Sequence, residues 1–299
     1  MRPAPLVALA ARLAFLVTLL VTPCVGANPQ QDAFDATRRG DHATAVKLLT
    51  PLAEQGDSYS QYTLGVLYAQ GKGVRQDSVA AVKWLRAAAA QGSAPAQSNL
   101  GLAFADGVGV EQNAAEAVKW YRRAAAQGWA LGQANLGVMY RDGAGVATDN
   151  VEAARLLTLA AEQGLAVAQL NLGVMYLSGR GVASDGVQAA KWYRRAAEQG
   201  LPMAQSNLGL MYLIGDQVKR DPAEAIKWLR MAAQQQHPAA QRSLGQAYAN
   251  GDGVTRNFPE AVRYLRMAAA LGDAPARATL AQAERLAGAC GKVVRDGCP

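Results

Sequence analysis

Residues 135–146 read NLGVMYRDGAGV, and this stretch returns along the chain with a constant step of 36 residues. Its Leu-Gly dipeptide stands at Leu64-Gly65, Leu100-Gly101, Leu136-Gly137, Leu172-Gly173, Leu208-Gly209 and Leu244-Gly245, and a weaker copy follows at Leu280-Ala281. An aromatic residue follows each leucine by four positions, at Tyr68, Phe104, Tyr140, Tyr176, Tyr212 and Tyr248. Residues spaced by four share one side of a helix, so Ala96, Leu100 and Phe104 make an apolar face. A second segment repeats the logic through Val118, Trp120, Tyr121, Ala124 and Ala125, and its large residue recurs at Trp84, Trp120, Leu156, Trp192, Trp228 and Tyr264. A period of this length describes one supersecondary unit stacked on copies of itself.

The helix ends are written between these anchors. Gly71, Gly107, Gly143, Gly179, Gly215 and Gly251 stand where the first helix must stop, in the left-handed conformation that closes a helix. Asp77, Asn113, Asp149, Asp185, Asp221 and Asn257 take the N-cap of the second helix, with Glu116, Glu152, Gln188, Glu224 and Glu260 three residues on in a capping-box pattern. Glycines at 56, 92, 128, 164, 200 and 272 then end the second helix. The sixth pair departs from the pattern. Gln217 stands where Gly109, Gly145 and Gly181 set a glycine, and Gln236 replaces the helix-ending glycine before His237. Either a local bend or contact site, or drift without consequence, accounts for these two residues.

These signals predict an all-α fold, a right-handed α/α superhelical solenoid of antiparallel helix pairs with a 36-residue period. A pair of such short helices cannot bury its apolar face alone, so each unit is stable only against its neighbours. The expected organisation is a signal peptide at 1–27, one solenoid at 28–289 of about seven helix pairs plus a C-terminal capping helix, and a cysteine-closed tail at 290–299. Composition agrees: 51% of residues are hydrophobic but only 6% aromatic, and the 30 glycines are spaced through the chain, which suits many small, closely packed helices.

KWYRRAAAQG at 119–128 and NLGVMYRDGAGV at 135–146 show the two halves of a unit that resembles the Sel-1-like repeat family, relatives of the tetratricopeptide repeats with a longer loop between the helices. The resemblance spans nearly all of residues 28–289. It implies adaptor work, because members of the family assemble complexes, and exported bacterial members include envelope proteins and factors that engage host proteins. One cysteine-rich branch is associated with penicillin binding and β-lactamase activity. That branch carries a cysteine pair in each repeat, and the repeats here carry none.

Arg2 and Arg12, the apolar run Leu13 to Val21, and the small residues Val25-Gly26-Ala27 predict an export signal cleaved after Ala27, with an uncleaved anchor as the alternative. Cys24 follows Pro23, a poor lipidation context, and leaves with the signal. Cys290 and Cys298 then remain, and an even pair in an exported chain predicts a disulfide; two free thiols are the alternative. The expected compartment is the periplasm, or else the exterior, with no membrane span after cleavage. A formal charge of +7, or +5 without Arg2 and Arg12, favours acidic surfaces mildly and does not imply nucleic acid.

No nucleophile, phosphate-loop or metal-ligand pattern emerges, and His42 and His237 lie in distant units without ligand partners. The expectation is a chain without catalytic residues, metal or cofactor. On the first helix, a wheel places residues 98, 102 and 105 opposite the core. The same offsets give Leu170, Val174 and Leu177, then Ser206, Leu210 and Leu213; with Val66, Leu102 and Val138 they form an apolar strip suited to a protein or peptide. The alternative is burial against neighbouring helices. Trp129, outside the regular aromatic positions, is either a lid on its turn or an exposed anchor. Gln61, Gln97, Gln133, Gln169, Gln205 and Gln241 make an unbroken amide ladder, beside a partial one at Asn99, Asn135, Asn171 and Asn207. Both are expected to bond carbonyls of adjacent units. A basic row at Lys83, Lys119, Arg155, Lys191, Lys227 and Arg263, flanked by Arg86, Arg122, Arg194, Arg230 and Arg266, reads as a solvated outer face, or as a site for an acidic envelope polymer. The leading functional expectation is a non-catalytic interaction scaffold. A β-lactamase-like or cell-wall-active enzyme and an envelope component that binds acidic polymer are the alternatives.

Overall fold

A side-chain cap at one end and a left-handed residue at the other limit most helices of this chain to thirteen residues, about 20 Å at 1.5 Å per residue. The computed structural model describes residues 28–293, with side chains as far as Gly288. The expected signal peptide, Cys298 and the side chain of Cys290 lie outside the described residues. Among the described residues fifteen helices follow one another: α1 (Pro29–Arg39), α2 (His42–Glu54), α3 (Ser58–Gln70), α4 (Ser78–Ala90), α5 (Ala94–Asp106), α6 (Ala114–Ala126), α7 (Ala130–Asp142), α8 (Asn150–Glu162), α9 (Ala166–Ser178), α10 (Gly186–Glu198), α11 (Pro202–Ile214), α12 (Pro222–Gln234), α13 (Pro238–Asn250), α14 (Phe258–Ala270) and α15 (Ala274–Val293). No strand occurs among the described residues.

Within a unit, the two helices meet where the first has no side chain. A Cβ on Gly101 would stand 2.7 Å from the Tyr121 ring, and one on Gly173 would stand 2.6 Å from the Tyr193 ring. Leu100, Leu172, Leu208 and Leu244 are fully buried beside these glycines, and Ala88, Ala124, Ala160, Ala196 and Ala232 fill the second-helix side. The loop of α5 and α6 shows how the pair is joined. Gly107 adopts φ +71, the N–H of Asn113 bonds the Phe104 carbonyl at 2.8 Å, and the Asn113 side chain caps Glu116 N–H at 3.0 Å. Each loop also packs on the preceding unit: a Cβ at Gly109 would fall 2.1 Å from the Ser78 carbonyl oxygen, so the second loop glycine is required by contact as well as by its φ of +74.

Successive units are tied by buried amides. Gln97 Nε2 donates to the Ala89 carbonyl at 3.2 Å, and Gln127 Nε2 donates to Gln97 Oε1 at 2.8 Å. The same couple recurs as Gln91 to Gln61, Gln163 to Gln133, Gln199 to Gln169 and Gln235 to Gln205, all between 2.7 and 3.0 Å. Gln91, Gln199 and Gln235 also reach the carbonyls of Gly56, Gly164 and Gly200. The glutamine ladder therefore bonds carbonyls of the preceding unit, as its register suggested, and its amide couples join the two helices of each unit. It ends where Leu271 replaces the next glutamine, leaving Gln241 Oε1 buried without a partner.

First helices touch one another directly, α5 on α7, α11 on α13 and α13 on α15, to a degree that no two second helices match. The stack therefore curves with the first helices on its inner side. Among the described residues, no helix is long and apolar enough to cross a membrane.

Candidate binding face

The inner side of the stack is the arc of each first helix that neither its own partner nor the next unit covers. On a wheel centred at position 102, residues 95, 98, 99, 102, 105 and 106 lie within about 60° of the centre. Four consecutive helices fill three of these positions alike: Pro95, Asn99 and Leu102 on α5; Leu131, Asn135 and Val138 on α7; Val167, Asn171 and Val174 on α9; Met203, Asn207 and Leu210 on α11. Each is an aliphatic–asparagine–aliphatic column. The flanking helices break the pattern, since α3 has Thr63 and Val66 buried there, and α13 has buried Ser243 and exposed Gln246.

The expected apolar strip survives in part. Leu102 (42% exposed), Val174 (38%) and Leu177 (36%) are open, and Val138, Leu210 and Leu213 are half-buried on the same arc. Leu170 is a correction: it is buried at 8% in a core cluster with Tyr193, Leu208 and Trp228. Ser98 and Ser206 share its offset and are buried as well, and Val66 is also covered. A wheel drawn for one helix puts these residues opposite that helix's own core, but the adjacent unit packs over this side of the arc. Ile214, 66% exposed at the end of α11, extends the strip and was missed because its position carries Asp106, Asp142 and Ser178 in other units.

The asparagines are half-buried between units. Asn171 donates to the Val167 carbonyl at 2.8 Å and accepts from Arg141 at 2.6 Å, and Asn99 and Asn207 bond the hydroxyls of Tyr62 and Tyr193. Burial pushes the Tyr193 hydroxyl up to about 12, so it keeps its proton throughout the neutral range. Among charged groups on the arc, Arg141 bonds Asp142 at 2.7 Å. Asp106 has no ion pair, and desolvation raises its pKa.

Trp129 lies at the tight-turn end, as the N-cap residue of α7. Its indole is 37% exposed and its side chain makes no capping bond. Leu165 and Leu201 hold the same position on α9 and α11, equally without a capping bond, but both pack against core clusters. At the other first helices of the repeats Asp57, Ser93, His237 and Asp273 cap through their side chains. His237 accepts from Ala240 N–H at 3.4 Å, and burial lowers its pKa.

The basic row of the second helices is largely engaged at home. Lys119, Arg155, Lys227 and Arg263 each pair with the glutamate three residues earlier, Glu116, Glu152, Glu224 and Glu260. Arg122, Arg194 and Arg230 donate to the hydroxyls of Tyr140, Tyr212 and Tyr248 at 2.9 Å, and Arg266 pairs with Glu284 at 2.7 Å.

Comparison with known proteins places this geometry. The Sel1 repeat model matches at residues 58–93, 94–129, 130–165, 166–201, 202–237 and 238–273. The crystal structure of a Sel1 repeat protein from Oxalobacter formigenes is 31% identical, with a TM-score of 0.74 over 81% of this chain and 97% of that one. That of c5321, a protective antigen present in uropathogenic Escherichia coli strains, is 39% identical, with a TM-score of 0.73 over 79% of this chain. The match spans only half of the c5321 chain. No curated protein matches the sequence. Six matched repeats at one constant spacing leave a single conclusion: the chain belongs to the Sel1 repeat family.

Proposed function

We propose that this chain is a non-catalytic scaffold, exported to the bacterial envelope and acting in the periplasm, that takes a protein segment on the inner face of α5, α7, α9 and α11. Sel1 repeats generally mediate protein interactions, which supports the scaffold reading. The observation that carries it is the column of two aliphatic residues around an asparagine, turned to the open side of four consecutive helices. Folding alone favours polar residues on such a face. Two aliphatic rows spaced along the stack suit a polypeptide, whose side chains can seat on them in turn.

Capture by crosslinking from the native compartment tests it. A variant with Leu210→Asp and Leu213→Asp is expected to lose the partner that wild type retains, while its helical circular dichroism is unchanged. The same partner captured equally by both proteins would remove the inner face from consideration.

A further inference from the structure

The inner arc from α3 to α13 bears four charged residues: Asp106, Arg141, Asp142 and, at the offset of Ser98 and Leu170, Arg242, which pairs with Asp273 at 3.2 Å. Two of them satisfy each other, with Arg141 Nε 2.7 Å from Asp142 Oδ1. Asp106 alone has no cation beside it among the described residues. Its carboxylate is exposed at the end of α5, and the charge it feels from elsewhere in the chain does nothing to hold it ionised, since burial alone shifts it, upward. A carboxylate exposed on this face with no cation beside it is free to pair with a charge that a partner brings. At the other end of the face the equivalent residue is Ile214, grouped in sequence and on the arc with Leu210, Leu213, Met203, Val174 and Leu177. The face is therefore polarised, with an unpaired negative charge on α5 and its broadest apolar field on α9 and α11.

We propose that the occupant is an extended polypeptide segment that sets an aliphatic or aromatic cluster on α9 and α11 and a lysine, arginine or free amino group on Asp106. The proposal rests on the reading of the inner face as the binding face. Charge complementarity selects the sign, because an acidic group would meet Asp106 with no cation to offset the repulsion. The stack sets the spacing. Neighbouring first helices packed about 10 Å apart put Asp106 about 20 to 30 Å from the apolar field, which an extended chain spans in about six to nine residues at 3.3 Å each.

Selection of a random dodecapeptide library on the purified full chain, run in parallel on three variants, tests the inference. Wild type is expected to enrich peptides with an apolar cluster six to nine positions from a basic residue. Asp106→Asn is expected to keep the apolar cluster and lose the basic residue, and Asp106→Lys to replace it with an acidic one at the same spacing. A selected peptide remade with glutamine for its basic residue is expected to bind wild type about two- to fivefold more weakly, the scale of one exposed ion pair, and Asp106→Asn without change. Identical peptides from wild type and Asp106→Lys, or peptides enriched without a basic residue, overturn the inference and leave the binding face standing. Enrichment no greater than that on Leu210→Asp with Leu213→Asp overturns both.

Discussion

Leu271 interrupts a hydrogen-bonded series at one atom. In five units a glutamine at the C-cap of the second helix donates to the buried glutamine of the first, and in the sixth Gln241 Oε1 receives nothing. Leu271→Gln is expected to supply the missing donor and raise stability by about 1 kcal/mol, the usual net worth of a hydrogen bond, read as a higher urea midpoint with unchanged slope. A second residue-scale coupling explains the irregular loop. Gln217 sits at φ +61, and a Cβ on Gly186 would come within 2.3 Å of the Gln217 Cβ. Gly186 is the glycine at the first position of a second helix where other units have Ser78, Ala114, Asn150 or Pro222, so the side chain gained at 217 is accommodated by one lost at 186. Gly186→Ala alone is expected to destabilise by about 1 to 3 kcal/mol through overpacking. Adding Gln217→Gly should recover most of that loss by recreating the pairing of Ala114 with Gly145; a purely additive thermal-denaturation cycle would show the two sites to be independent. The sequence displayed Gln217 as an exception, yet its counterpart lies 31 positions away in another unit, and only the stacking reveals that they meet.

Helix termini carry the next level of organisation. Three consecutive first helices, α7, α9 and α11, begin without a side-chain cap, and for Leu165 and Leu201 burial against the core compensates. Trp129 belongs to no buried cluster, so Trp129→Asp is expected to add a cap and raise stability by about 1 kcal/mol in thermal melts, with any loss of partner capture assigning the indole to binding. No gain in stability would mean that the indole already supports its turn. Second helices show the reverse economy, because their capping-box glutamates are held by basic residues one turn on. The Arg155 hydrogen bond holds Glu152 below the ordinary carboxylate range, and hydrogen bonds from Lys227 and then Trp228 do the same for Glu224. A lowered folded-state pKa means stability that is complete above the unfolded pKa and is lost as pH falls through the folded value. Acid titration should therefore leave the melting temperature flat down to about pH 5 and lower it below about pH 4, and Glu224→Gln should flatten that decline. Caps, loops and the closing glycines were legible because each is a local signal within a few residues. The burial of Leu170, Ser98 and Ser206 was not, because it depends on how far the next unit leans over the arc.

At the scale of the molecule, each helix pair meets the next through the same contacts: a loop glycine on the start of the preceding second helix, and a buried first-helix glutamine on a carbonyl at the end of that helix. Stability in such an array is a sum over units and their shared boundaries. Insertion of a second copy of residues 166–201 directly after residue 201 is expected to give a folded protein with the same helicity per residue and a higher melting temperature. A drop in helicity would mean that the units are not interchangeable. The solenoid was readable from the period alone, whereas the face that it turns to partners had to be sorted from covered positions by the structure. That constant step of 36 residues with no insertion has a consequence at the level of the gene. Gain or loss of one unit's codons keeps the reading frame and preserves each cap, loop closure and amide couple. Recombination between neighbouring copies can therefore lengthen, shorten or re-order the inner face in one event, and selection is then free to act on what the face recognises instead of on whether the chain folds.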